Sequence, residues 1–153
     1  MKLFIALATG SIFISAMPAF ADDNYGWFTT PSKNIWCAKR VDFDTSIPLA
    51  VECDVDNHDW KNWIQDDDLN GYHGNRFMIP GTGPAEAIGS SDTMVGSAAP
   101  VLQYGQKVTF SHRPEDGTIT CLSEKIGLTC TNKSGGLMHL NREFYVLNKP
   151  VPR

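Results

Sequence analysis

From residue 117 to residue 132 the chain alternates between apolar and polar positions. Ile119 and Cys121 fall on one face with Thr118 and Thr120 on the other; beyond Gly127, Leu128 and Cys130 share a face, with Thr129 and Thr131 opposite. Two β-prone runs of period two joined through a glycine predict a half-buried antiparallel hairpin. The phrase has an earlier copy. Ile35 and Cys37 lead out, and Val51 and Cys53 lead back through a longer connection that contains Pro48. Ile-x-Cys followed by (Val/Leu)-x-Cys, used twice, predicts two related hairpins, each carrying its own cross-strand disulfide: Cys37–Cys53 and Cys121–Cys130.

Other stretches are less regular. Lys107 to His112 alternates and predicts a strand that feeds the second hairpin through a turn at Arg113–Gly117. Phe144 to Leu147 predicts a last strand or a short helical turn after a cap at Asn141. His58 to Gln65 sets Trp60, Trp63 and Ile64 at helix-like spacing, so a short helix is expected there. Residues 80–105, rich in Gly, Pro, Ser and Ala, read as irregular loop with brief extended pieces. The expected fold is mainly β: a small antiparallel sheet, curled or sandwich-like, with one short helix and two disulfide-stapled hairpins.

Hydropathy changes the picture at the start of the chain. Lys2 precedes an apolar run from Leu3 to Met17, then Pro18, Ala19-Phe20-Ala21 and the acidic pair Asp22-Asp23. A basic start, an apolar stretch and a small-x-small site form a secretory signal peptide. The run is shorter than the ~20 residues that span a bilayer. The expectation is a signal peptide over 1–21 and a single disulfide-stabilised β domain over 22–153, exported by the general secretory route. No later segment is apolar enough to cross a membrane.

Charge narrows the partners. The chain carries a net charge of −4, and loss of Lys2 makes it −5. Such a surface disfavours nucleic acid, whose phosphates demand clustered Lys and Arg, and disfavours a polybasic membrane contact. Four cysteines without Cys-x-x-Cys spacing read as disulfides, not as a metal or redox site.

The chemistry-bearing candidates are few. Asp66, Asp68 and Asn70, followed by Gly71, match the first half of a calcium loop, in which alternate oxygen ligands turn inward and glycine makes the bend. The twelfth position, where a bidentate Glu belongs, is Phe77; Asp56 or Asp59 would have to complete the set. His58, His73, His112 and His139 are scattered without metal-ligand spacing. His112 with Glu115 and Asp116 sketches an acid–base group, but Pro114 and Gly117 mark a turn. Ser90-Ser91-Asp92 lacks the flanking glycines of a nucleophile elbow. Gly81-Thr82-Gly83 lacks the lysine of a phosphate loop, Asn132-Lys133-Ser134 fits a glycosylation sequon, and Trp27, Trp36, Trp60 and Trp63 suit a core or an aromatic platform.

Read together, Thr30-Pro31-Ser32-Lys33-Asn34-Ile35-Trp36-Cys37, Val51-Glu52-Cys53-Asp54, Ser91-Asp92-Thr93, Leu102-Gln103-Tyr104-Gly105, Gly127-Leu128-Thr129-Cys130-Thr131-Asn132, Asn141-Arg142 and Tyr145 resemble a family of exported bacterial proteins known only as a domain of unknown function. The resemblance covers roughly Phe28 to Leu147. It implies a third cysteine pair in relatives, one near Asp66–Asp68 and one near Ile88-Gly89, both missing here, which leaves the two hairpin bridges intact. It also implies a location in the bacterial periplasm or outside the cell, and no activity. The sequence therefore favours a non-enzymatic extracytoplasmic binding module, with an envelope or host protein as partner and no cofactor. The alternatives are a hydrolase with a scattered His/Asp/Ser site and a calcium-stabilised structural protein of the envelope.

Overall fold

Each predicted hairpin lies inside a five-stranded antiparallel meander. The structure, a computed structural model, describes residues 26–40, 48–61 and 73–151. The first meander is β1 (Trp27–Thr29), β2 (Ile35–Arg40), β3 (Ala50–Val55), β4 (His73–Pro80) and β5 (Glu86–Ser90), paired in chain order. The second is β6 (Lys107–Ser111), β7 (Thr118–Glu124), β8 (Gly127–Asn132), β9 (Leu137–Leu140) and β10 (Tyr145–Leu147), paired the same way.

The register puts one corresponding row across each sheet. Phe28, Cys37, Cys53, Phe77 and Ala87 are successive partners in the first. Val108, Cys121, Cys130, Met138 and Leu147 are successive partners in the second. Cys37–Cys53 and Cys121–Cys130 are bonded, with Cα separations of 4.1 and 4.0 Å, as the alternation predicts. By the chain-entropy model a short closed loop of this kind contributes about 3 kcal/mol. Both rows face inward and merge into one apolar core. Phe28 stacks on Phe110, and Phe77 meets Tyr145 with ring centroids 4.8 Å apart, so the two sheets pack face to face; neither closes on itself.

The stretch predicted as helix differs. His58 to Lys61 are not helical, with a bend at Asp59 and Trp60, and residues 62–72, which include the rest of the predicted helix, lie outside the described residues. Tertiary ties explain the bends. The Asp59 amide donates to the Arg142 carbonyl and Trp60 Nε1 donates to the Asn141 carbonyl. The Trp60 ring meets Phe77 and Tyr145 edge-on. Among the described residues the helical turn is a single 3-10 turn, Pro114–Asp116, where a turn was predicted.

Of residues 80–105, expected as irregular loop with brief extended pieces, Glu86–Ser90 pair as β5, and the chain from 91 to 106 forms a strap over the outer face of the first sheet. It leaves β5, and Val101 bridges to Thr29 at the β1 edge, flanked by Thr29 N to Pro100 O and Leu102 N to Thr29 O, each 2.9 Å. Its anchor is an ion pair on the face opposite Cys53 and Phe77. Arg76 donates to both oxygens of Asp54, at 2.6 and 2.9 Å. Asp54 Oδ2 also accepts from the Thr93 hydroxyl and the Met94 amide. Arg76 reaches the Asp92 carboxylate as well, at 2.9 Å. Asp54 is 1% exposed, so its charge depends on these donors.

Arg76→Ala strands the Asp54 charge under the strap, and urea unfolding is expected to show a loss of about 3–5 kcal/mol. Asp92→Asn keeps the Arg76–Asp54 fork and should cost far less. Equal losses in the two variants would contradict this assignment.

Candidate functional site

Short polar side chains take over the hydrogen bonds of the backbone wherever loops meet, and at one end of the sandwich they build a cleft. Thr30 N and Ile35 O close the β1–β2 turn at 3.1 Å, with Lys33 in the left-handed region at φ 53°. The Asn34 amide then binds both backbone groups of Asn57, at 2.8 and 2.9 Å, tying that turn to the segment after β3. From the second sheet, Lys125 and Ile126 form the two-residue β7–β8 turn, closed by the Glu124–Gly127 pair. Gly127, at φ 135°, packs so closely on Leu140 and Asn141 that a Cβ would collide with the Leu140 carbonyl oxygen. Asn141 Oδ1 accepts from the Glu143 and Phe144 amides, both at 2.8 Å, while its Nδ2 donates to the Ile126 carbonyl at 3.1 Å. One asparagine thus shapes the β9–β10 turn and fastens it to the β7–β8 turn.

The cleft between these turns has a volume of about 380 Å³ and is lined by both meanders and by Tyr104 of the strap. Four of its side chains are not used to hold the fold. Tyr104 is 40% exposed, and neither it nor Lys125 or Glu124 makes a side-chain hydrogen bond among the described residues. Among the described residues the Arg142 side chain pairs with Asp59, at 3.3 Å, with both groups exposed, a pairing worth little.

A second cleft of about 410 Å³ lies across a ridge made of Lys125, Asn141 and Arg142. Ile126, 60% exposed, and Phe144 line it, and His139 forms its floor. His139 is 1% exposed; its Nδ1 lies 2.8 Å from the Thr129 hydroxyl and its Nε2 lies 3.3 Å from Asn141 Nδ2. The Phe144 ring stacks over it at 5.6 Å. Burial holds the imidazole below the ordinary histidine value, while the Ile126 carbonyl and Glu124 pull the other way. Hydroxyl, imidazole and amide in line resemble a nucleophile–base–orienter set. Thr129, however, lines neither of these two clefts.

The remaining candidates have structural places. His58 stacks on Trp60, and its Nδ1 sits 2.9 Å from the Trp60 carbonyl. His73 begins β4. His112 is exposed at the β6–β7 connection, while Asp116 is buried and forked by Arg113 at 2.9 Å. Ser90 and Asp92 are bonded to each other at the start of the strap. Gly81 and Gly117 are required by close packing of the β4–β5 turn on the 3-10 turn: a Cβ on Gly81 would strike the Asp116 carbonyl oxygen, and one on Gly117 the Gly81 carbonyl oxygen. Asn132 Nδ2 donates to the Pro80 and Gly83 carbonyls at 2.8 Å, so the sequon nitrogen is spent in joining the two sheets. Trp36 is buried with its Nε1 bonded to the Lys33 carbonyl, whereas Trp27 is 45% exposed at the β1 end. Asp66, Asp68, Asn70 and Trp63 lie outside the described residues. Among the described residues no group of three metal-ligating side chains converges, and no helix is long and apolar enough to cross a membrane.

The sequence missed Lys125 and the role of His139. Tyr104 and Arg142 stood in the resemblance string, but nothing local marked them as neighbours.

The family whose pattern matches the chain, over residues 8–148, is described as a family of unknown function (DUF6636), and the chain belongs to it. Neither a curated protein nor a solved structure matches the chain.

The titrations have opposite origins and one direction. Above about pH 6.5 His139 is neutral folded and unfolded; below it the unfolded chain takes up a proton that the folded chain resists, so stability falls with pH. Asp92, held down by the Ser90 hydroxyl and Arg76, and Asp116, held down by Arg113, contribute stability above pH 3.8 that is lost in stronger acid. The thermal midpoint should therefore fall in two stages on acidification. His139→Gln should flatten only the first, and an unchanged first stage would contradict this assignment.

Proposed function

We propose that this protein is a non-enzymatic binding module of the extracytoplasmic space, and that the cleft at the Tyr104–Arg142 end is its binding site. The observation that carries the reading is the division of labour among the cleft residues. Thr30, Asn34, Gly127 and Asn141 are consumed in shaping the turns. Tyr104 and Arg142 belong to the same family-like string and line the cleft; among the described residues Tyr104 makes no side-chain hydrogen bond, and Arg142 makes an exposed ion pair with Asp59. Exposed Tyr and Arg on rigidly held loops are the residue types that dominate protein recognition. The two disulfides and the N-terminal apolar segment ending in Ala19-Phe20-Ala21 support export, through a signal peptide over 1–21, into the bacterial periplasm or beyond. The partner fits the class of an envelope or host protein.

A photo-crosslinking residue in place of Tyr104, in the full chain expressed in a bacterium, tests the reading. A discrete adduct is expected that disappears with Arg142→Ala and does not form from a crosslinker at Lys107 on β6. No adduct above that control would count against the cleft. Turnover on ester, peptide or glycan substrates that His112→Ala or His139→Ala abolishes would replace binding with hydrolysis.

A further inference from the structure

The clefts share a ridge with a buried base beneath it. His139 lies on the outer face of the second sheet, beside Thr129 of β8 and under both turns that make the ridge. Its neighbours leave little room for a second ring proton. An imidazolium has two donors and no acceptor. Around this ring stand the Thr129 hydroxyl, the Ile126 carbonyl and the Asn141 amide nitrogen, itself a donor. The Ile126 carbonyl also accepts from Asn141 Nδ2, so a ring proton there would share that oxygen with Asn141. Of the charged groups in the turns packed around the ring, Lys125 and Arg142 oppose a cation, and Glu124 and Glu143 favour one.

We propose that His139 is an acid-operated latch for the ridge between the two clefts: protonation of its ring breaks the Asn141–Ile126 tie and releases the β9–β10 turn. The charged ring draws the Ile126 carbonyl to itself and repels the Asn141 amide hydrogens. Asn141 cannot turn away without giving up its bonds to the Glu143 and Phe144 amides. Those bonds hold the turn that carries Arg142, and Phe144 is the lid over the ring. Lifting that lid lets water reach the charge and removes the burial that opposed it. Local release thus replaces global unfolding as the route to protonation. The latch stands on its own geometry; its consequence for binding rests on the first cleft being the site, whose shape then changes with acidity.

Nuclear magnetic resonance of the oxidised full chain between pH 7.5 and 4.5 tests the latch without any ligand. The His139 ring signals and the amides of Ile126, Gly127, Glu143 and Phe144 should shift with one shared midpoint below 6.5, while the amides of β2 and β3 stay in place. His139→Gln should abolish that shared transition. Two results in the wild-type chain alone would overturn the proposal: a ring that titrates with those amides unmoved, or a ring that stays neutral until every amide signal is lost together. Failure of the crosslinking at Tyr104 would leave this outcome untouched.

Discussion

Cross-strand pairing of cysteines on inward-facing positions is the constraint on which the rest of this structure depends. Side chains alternate along a strand, so a slip of one residue between β2 and β3 would turn Cys37 away from Cys53 and move Ile35 and Val51 off the core face. The bridge and the hydrophobic pattern therefore specify the same register, and the same holds for Cys121, Cys130, Ile119 and Leu128. With the central strands fixed, the outer strands inherit their register. Phe77 and Met138 fall opposite the inner cysteines, and Phe28 and Val108 fall opposite the outer ones. Two meanders with matching rows then stack through their disulfide-bearing faces.

Stacking leaves loop ends without strand partners, and asparagines fill that gap. Asn148, in the left-handed region at φ 57°, binds both backbone groups of Ala85 at 2.8 Å and so joins the end of β10 to the first sheet. Asn132 makes a similar joint between the β8–β9 and β4–β5 turns. Asn34 and Asn141 do it at the cleft end. A carboxamide offers a donor and an acceptor in the geometry of a peptide group, so each can stand in for a missing strand neighbour. The clefts sit where these joints gather, and that gives the projecting Tyr104 and Arg142 a rigid base.

How much was legible follows from these same forces. The hairpins and both bridges could be read because one face of each strand is uniformly apolar. β4 could not: His73-Gly74-Asn75-Arg76 lacks alternation, since Arg76 faces the strap and not water. The strap hid as a Gly- and Ser-rich loop because its order comes from Asp54 and Thr29, which are distant in sequence. Helix-like spacing does not govern the described part of that stretch, His58 to Lys61, because the Trp60 ring is drawn to Phe77 and Tyr145 across the core edge. The cleft was illegible as a site, since Tyr104, Lys125 and Arg142 become neighbours only after both sheets have formed and packed.

The central claim is that two similar meanders form one cooperative unit, so that the cleft between their ends is framed by both sheets at once. Native-state hydrogen exchange of the oxidised chain measures this most directly. The account predicts that the slowest amides lie in β2, β3, β7 and β8 and open together with one common free energy, because they share one core. Exchange of β1–β5 at a distinctly lower free energy than β6–β10, or the reverse, would contradict it. The two sheets would then be independent units, and the cleft a contact without a fixed shape.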